Sequence, residues 1–287
     1  MDWTDKKILV IGGDQRLLFL ADLIKDNFRS VQCYALQGAE CLDGIEKATS
    51  LQKGMQEADI IVGPVPFTKD GMHLLTKDNT TILLADFIEN LVENGALLGG
   101  NIPASVVEAA KLKNTICYDF MKMENVALEN AISTAEGAIA EAITLSTQNV
   151  NQENCLILGY GRCAKAIAQR LKGLNAKITI AARKDMAQKD AIAQGYQAIS
   201  LEDLKCDIPK EQFIFNTIPF TVLNEELIEK VSEDAIIIDI ASSPGGTDFE
   251  ACSRRGIKAK LSLGIPGRFS PKTSANILLH GMIASLE

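Results

Sequence analysis

Residues 154–171, NCLILGYGRCAKAIAQRL, constrain the fold more than any other stretch of this chain. A short, largely apolar run of strand length enters Gly-Tyr-Gly and then a segment of helical character. A strand that turns sharply through glycines into a helix is the first half of a βαβ unit, which requires a parallel sheet covered by helices. The second half of the chain repeats that rhythm. Strands are expected at 154–158, 177–182, 212–216, 235–240 and 257–262, and helices at 162–173, 185–194, 224–231, 247–255 and 274–286. The first half has the same alternation with shorter, glycine-rich connections. Its strands are expected at 7–12, 31–36, 59–64, 81–86, 96–100 and 115–119, with helices notably over 15–26 and 104–112. The fold class is therefore α/β, with two doubly wound domains.

A chain of 287 residues is long for a single core. Between the two βα regions, 119–148 is Ala-rich and free of proline, with Val126, Ile132, Ile139 and Ile143 along one helical stripe. This predicts a substrate-side domain of flavodoxin or Rossmann type over 1–125 and a long connecting helix over 126–150. A nucleotide-binding Rossmann domain follows over 151–272, and then a last helix over 273–287 that can cross back to the first domain. Gly137 inside the long helix points to close approach, either of a packed neighbour or of a ligand.

Net charge of -8 and 47% hydrophobic residues fit a soluble globular protein and argue against nucleic acid as a main partner. The seven cysteines form no C-x-x-C pair, and Cys155 and Cys163 fall within strand and helix patterns, so reduced thiols, a cytoplasmic location and no metal site are expected. The opening MDWTDKKILVIGGD has neither a basic leader nor a cleavage site, and no apolar run approaches membrane-spanning length.

The glycines of 158–164 carry chemistry as well as shape. Gly159 permits the sharp turn, and Gly161 lets a pyrophosphate approach the main chain at Tyr160, Arg162 and Cys163. The amides and positive dipole end of the helix lie there. Ala164 takes the third position of G-x-G-x-x-[GA]. A bound dinucleotide follows. At the end of the next strand, where an acidic residue normally holds the adenosine ribose, the chain has Ala181, Ala182, Arg183 and Lys184. Small residues leave room for a 2′-phosphate and Arg183 can grip it, so NADP is favoured over NAD. A second pair, Gly12 and Gly13, lacks the G-x-G-x-x-G spacing, so no second nucleotide site is expected. Asp14 and Arg16 beside it read either as ligand groups facing an interdomain cleft or as a helix cap and a surface arginine.

Three further strand ends carry small or unusual residues: NTIP with Thr217, Ile218 and Pro219; DIASSPGGTDF with Ala241, Ser242, Gly245 and Gly246; and GIPGRFSPKTSA with Lys272 and Thr273. In a doubly wound domain these border the nicotinamide end of the cofactor. The bare Ser-Ser-Pro-Gly-Gly surface leaves backbone amides uncovered, with Thr247 or Asp248 placed to cap the next helix.

Together with GGDQR at 12–16, TAEG at 134–137, LGYGR at 158–162 and AAR at 181–183, these stretches resemble the A subunits of bacterial dipicolinate synthase along essentially the whole chain. Ser133, Ala164 and Ser270 stand where that family often has Pro, Gly and Ala. The resemblance implies a two-domain fold like that of the D-2-hydroxyacid dehydrogenases and NAD(P)-dependent oxidation of a dihydrodipicolinate to dipicolinate. The substrate derives from 4-hydroxytetrahydrodipicolinate, a lysine-pathway branch used in spore formation in the mother cell. The resemblance also implies a flavoprotein-like partner, the B subunit of that enzyme, and a homo-oligomer is expected.

On that reading a small dicarboxylate substrate is held by Arg16, Ser133, Thr134, Lys272, Thr273 and the amides of Gly245 and Gly246. No residue declares itself as catalytic base. Lys272, Thr134 and Ser242 are candidates for catalysis, and of the two histidines, His73 and His280, the latter sits in an apolar helical context. Two other classes compete: a non-catalytic protein that binds NADP or scaffolds a partner, and an oxidoreductase of the shikimate or 2-hydroxyacid dehydrogenase type. The shikimate type would use a Lys and Asp pair such as Lys69 and Asp70.

Overall fold

The strand-length apolar runs become two six-stranded parallel sheets. The computed structural model describes residues 3–287 and divides into two units: one runs up to Glu129 and resumes over Ser270–Glu287, and the other is Asn130–Phe269. The first unit holds β1 (Trp3–Ile11), α1 (Gln15–Ile24), β2 (Phe28–Tyr34), β3 (Glu46–Lys47), α2 (Leu51–Glu57), β4 (Ile60–Val62), α3 (Leu84–Glu89), β5 (Ala96–Gly99), α4 (Ala104–Leu112) and β6 (Ile116–Asp119). Helix α5 (Glu124–Leu145) runs from this unit into the second. There follow β7 (Asn154–Leu158), α6 (Arg162–Gly173), β8 (Lys177–Ala181), α7 (Asp185–Ala193), β9 (Gln197–Ile199), α8 (Leu204–Asp207), β10 (Phe213–Asn216), α9 (Glu225–Ile228), β11 (Ile236–Asp239), α10 (Phe249–Arg254), β12 (Lys258–Leu261) and α11 (Ile265–Phe269). The last helix, α12 (Pro271–Leu286), belongs to the first unit.

Strand order is β3-β2-β1-β4-β5-β6 in the first sheet and β12-β11-β10-β7-β8-β9 in the second, all pairs parallel. Both are one winding, reversing direction between β1 and β4 and between β7 and β10. Each sheet is covered on both faces, which explains the unbroken apolar strands. In β1, Ile8 and Val10 pack with α1 and α12 residues such as Leu17, Leu20 and Leu278, while Leu9 and Ile11 pack with Met55, Phe67 and Phe87. In β7, Cys155 and Ile157 meet Ile167 and Leu171 of α6, and Leu156 and Leu158 meet Ile214 and Ile237.

The structure corrects the strand expected at 81–86. Leu83 forms one antiparallel bridge to His73, and the chain then turns into α3. Ile82, Leu84, Phe87 and Leu91 are buried there, and from Leu84 onward the spacing is helical, inside a run too short to declare its period. The edge strands β3 and β9 were not legible, since their residues are not an apolar run. Helix α12 starts three residues before the expected 274, with Pro271 in its first turn.

Gly137 faces α11 within the second unit. A Cβ there would lie 2.2 Å from Ile265 Cγ2 and 2.9 Å from Phe269 Cδ2, so helix packing accounts for the glycine. One turn further, buried Glu141 accepts Lys260 Nζ and Arg268 Nη1, both at 2.8 Å, and the Ser262 hydroxyl. Burial pulls its carboxyl upward, but those three donors outweigh it and hold the group below its ordinary range.

Candidate functional site

The two βα turns of equivalent position have opposite chemistry. After β7, Gly159 lies at φ +94°, where its N–H donates to Ala181 O at 2.8 Å and an added Cβ would lie 2.6 Å from Thr217 Oγ1. Gly161 is the N-cap of α6, and no side chain caps this helix. A Cβ on Gly161 would meet nothing within 4 Å. Ala164, fully buried with Ile167, Ala168 and Leu171, seats the helix on the sheet. The result is a helix N-terminus with room in front of it and no internal anion, the requirement for a pyrophosphate. Tyr160 and Cys163 flank it. Burial pushes the Tyr160 hydroxyl up to about 12 and raises the Cys163 thiol as well, so both stay neutral at pH 7.

After β1 the turn is closed. Gly12 N–H donates to Tyr34 O at 2.9 Å and Gly13 N–H to Leu75 O at 2.7 Å. Asp14 caps α1 through the Arg16 amide at 3.1 Å, which puts a carboxylate where a phosphate would have to sit. Arg16 is not a surface residue. It is 6% exposed, holds Asp14 through Nε at 2.9 Å and Nη2 at 2.8 Å, and donates to Val65 O. Burial pulls the Asp14 carboxyl upward, but the Arg16 guanidinium outweighs it and keeps the group ionised. Arg16 thus enters any substrate contact already neutralised, which weakens it as the carboxylate grip expected from sequence.

At the end of β8, Ala181 and Ala182 are buried and Arg183 and Lys184 are exposed, neither side chain having a partner among the described residues. The loops after β10 and β11 line the same carboxyl edge of this sheet. Asn216, fully buried, accepts from Ile218 N–H and donates to Ile218 O, both at 3.1 Å, and Thr217 Oγ1 donates to Leu158 O at 2.8 Å. Pro219 is exposed. Asp239, also fully buried, accepts from Ala241 N–H at 2.9 Å, Gly246 N–H at 2.7 Å and Thr247 Oγ1 at 2.7 Å.

That last set corrects an expectation. The Gly246 amide is used by Asp239, and Gly245 N–H donates to Ser242 O at 2.8 Å, so neither is free for a substrate carboxylate. The bare surface serves the protein: a Cβ on Gly246 would lie 2.5 Å from both Ile218 O and Phe220 O. Ser242, Ser243 and Pro244 remain exposed beside it. Asp248 caps α10 through the Ala251 amide at 2.9 Å, whereas Thr247 gives its hydroxyl to Asp239.

The remaining candidates are divided between the units. Ser133 and Thr134 lie on α5 in the second unit; Ser133 is 4% exposed and Thr134 returns its hydroxyl to Asn130 O at 2.8 Å. Lys272 and Thr273 are exposed in the first turn of α12, in the first unit with Arg16. Lys69 forms no ion pair with Asp70, whose carboxylate instead receives the His73 ring at 2.7 Å. Sequence reasoning passed over that pair, for which D-x-x-H at 70–73 was the available signal. His280 is exposed on α12 with no partner among the described residues. Among the described residues no group of His, Cys, Asp and Glu could hold a metal ion, all seven cysteines are free thiols, and no helix is long and apolar enough to cross a membrane.

Comparison with known proteins agrees with this division of labour. Residues 7–121 match the family described as the N-terminal domain of the dipicolinate synthase A subunit, and residues 123–244 match the NAD binding domain of D-isomer specific 2-hydroxyacid dehydrogenases. The dipicolinate synthase A subunit of Bacillus subtilis (strain 168) is 28% identical over 283 residues, covering 96% of this chain and 94% of the relative. A crystal structure of the same subunit from Bacillus halodurans superposes with a TM-score of 0.90 at 26% identity, over 100% of this chain and 99% of the other. The crystal structure of its Bacillus subtilis counterpart gives 0.85 at 26% identity, over 98% and 96%. A closed first turn, an open second one and matches that run end to end agree: the chain is similar along its whole length to dipicolinate synthase A subunits, and residues 123–244 match a nicotinamide-nucleotide-binding domain.

Proposed function

We propose that this chain oxidises a dihydrodipicolinate, formed from 4-hydroxytetrahydrodipicolinate, to dipicolinate with NADP as acceptor. It would do so as the A subunit of a two-subunit dipicolinate synthase in the mother-cell cytoplasm during spore formation. The observation that carries this reading is the uncapped, open N-terminus of α6 in a chain that aligns end to end with dipicolinate synthase A subunits. The residues fit the nucleotide. The amides at Gly161, Arg162 and Cys163 would face its pyrophosphate, exposed Arg183 and Lys184 its 2′-phosphate, and Thr217, Ile218, Pro219, Ala241 and Ser242 its nicotinamide half. When bound, the nicotinamide supplies a two-electron acceptor.

The first unit is the substrate side on this proposal. Exposed Lys272 and Thr273, whose side chains have no partner among the described residues, are the best placed of the expected groups to meet a carboxylate, since the Gly245 and Gly246 amides and the Arg16 guanidinium already have partners. Aromatisation of the ring drives the reaction, so the protein's task is orientation and removal of one proton.

The test is a spectroscopic assay of the purified chain, alone and with its B subunit, given fresh 4-hydroxytetrahydrodipicolinate and NADP, following reduced nicotinamide and the pyridine chromophore together. Joint appearance of both with the chain alone is the expected result. Appearance of neither under any combination contradicts the reaction. Cofactor choice has its own test. Arg183→Ala should lower the NADP to NAD ratio of kcat/KM by about ten- to a hundredfold, the worth of a charge-assisted hydrogen bond, and an unchanged ratio removes the phosphate role.

A further inference from the structure

The loops that leave β1 and β4 flank the point where the first sheet reverses its winding, the edge at which open α/β sheets bind ligands. They are joined: Gly13 N–H donates to Leu75 O, and Arg16 to Val65 O. The segment between β4 and α3 is pinned from below by buried Phe67, packed edge-on to Phe87 at 5.3 Å. It is held laterally by bridges Thr68 to Leu74 and His73 to Leu83, and by Leu84 N–H donating to Met72 O at 2.8 Å. His73 therefore occupies a backbone position fixed on both sides.

Its ring is fixed as well. Asp70 Oδ1 accepts the amides of Met72 at 2.9 Å and His73 at 2.8 Å and the Thr68 hydroxyl at 3.2 Å, while Oδ2 lies 2.7 Å from His73 Nδ1. The His73 ring, and then the amides, hold the Asp70 carboxyl far below its ordinary range, so it is ionised and can only accept. The hydrogen of a neutral imidazole must then sit on Nδ1, leaving Nε2 with a free lone pair. The side chain is 37% exposed. The other charged groups of this edge with partners are already satisfied, Asp14 by Arg16 and Asp78 by Thr80. His280, the other histidine, has no side chain among the described residues to orient it.

Resting on the reaction proposed above, we infer that His73, set in one tautomer by Asp70, is the base that takes the substrate's proton. One ring C–H would leave with its electron pair to the oxidised nicotinamide. The hydrogen on the neighbouring ring carbon would leave as a proton to His73 Nε2, and the electrons of that bond would become the new ring double bond.

The experiment uses the full chain, with the B subunit wherever the wild type requires it. In His73→Ala, kcat should fall by about 10²- to 10⁴-fold with NADP affinity unchanged, and added imidazole should restore about a tenth of the loss or more on a logarithmic scale. In the unliganded wild type, diethylpyrocarbonate labelling read by mass spectrometry should be suppressed at His73, and not at His280, by dipicolinate. A variant that turns over near the wild-type rate, a loss that imidazole leaves untouched, or equal labelling with and without dipicolinate overturns the assignment. Wild-type turnover alongside an unaffected variant removes His73 alone. A wild type that never turns over removes the reaction, and the base with it.

Discussion

Two glycines separated by one residue occupy the turn before α6 for opposite reasons. Gly159 is required by the fold, with φ +94° and Thr217 Oγ1 in the path of any Cβ, so Gly159→Ala should cost about 1–3 kcal/mol of stability. Gly161 has ordinary φ and open space where its Cβ would project. Gly161→Ala, which replaces a tolerated N-cap residue by a poorer one, should cost at most about 1 kcal/mol of stability and weaken nucleotide binding by about tenfold or more, seen by calorimetric titration. Unchanged affinity in that variant would show that the space is not the pyrophosphate's. Both glycines were legible in the G-x-G spacing. The fate of Gly245 and Gly246 was not, because whether an amide is free depends on Asp239 and Ser242 folding back onto it. The burial of Arg16 was hidden for the same reason: its partners are set by the loop after β4 as much as by its neighbour Asp14.

At the scale of elements, α5 and α11 are fitted to one another through Gly137 and clamped through Glu141. Replacing Gly137 by Ala removes a helix penalty of about 1 kcal/mol but drives a methyl into Ile265, so a net loss of about 1–2 kcal/mol is expected in denaturant unfolding. A stabilised Gly137→Ala variant would contradict the packing described here. The Glu141 clamp contributes above the ordinary glutamate range, where the carboxylate is ionised in both states, and is lost as pH falls through its depressed folded value. Elements such as α6 and β7 were readable because their apolar pattern and glycine punctuation agree. Residues 81–89 were not, since ILLADF satisfies a buried strand and a buried helix turn equally, and only the Phe67 and Phe87 contact selects the helix.

Across the molecule, one buried charge sets a pH dependence of folding. Glu211, 1% exposed, has no hydrogen-bond partner among the described residues for either carboxylate oxygen, and burial pushes it up to about 7 from 4.5, with Lys210 opposing and Asp207 adding to the shift. Between those values the unfolded chain releases a proton that the folded chain keeps, so stability falls as pH rises through that window and is level above it. Glu211→Gln should match the wild type near pH 4 and exceed it by about 3 kcal/mol near pH 8, measured by denaturant unfolding. A constant difference across the range would show that the carboxyl titrates normally. The amino-acid sequence by itself determined that this chain makes two parallel α/β sheets and that the turn at 159–161 admits a nucleotide, because strand length, helical period and glycine spacing act over a few neighbouring residues. Only the tertiary structure decided that α12 completes the first unit, that the first turn is closed, and that Asp70 orients His73. Those outcomes depend on which distant backbone and side-chain groups meet, and local pattern carries no record of that.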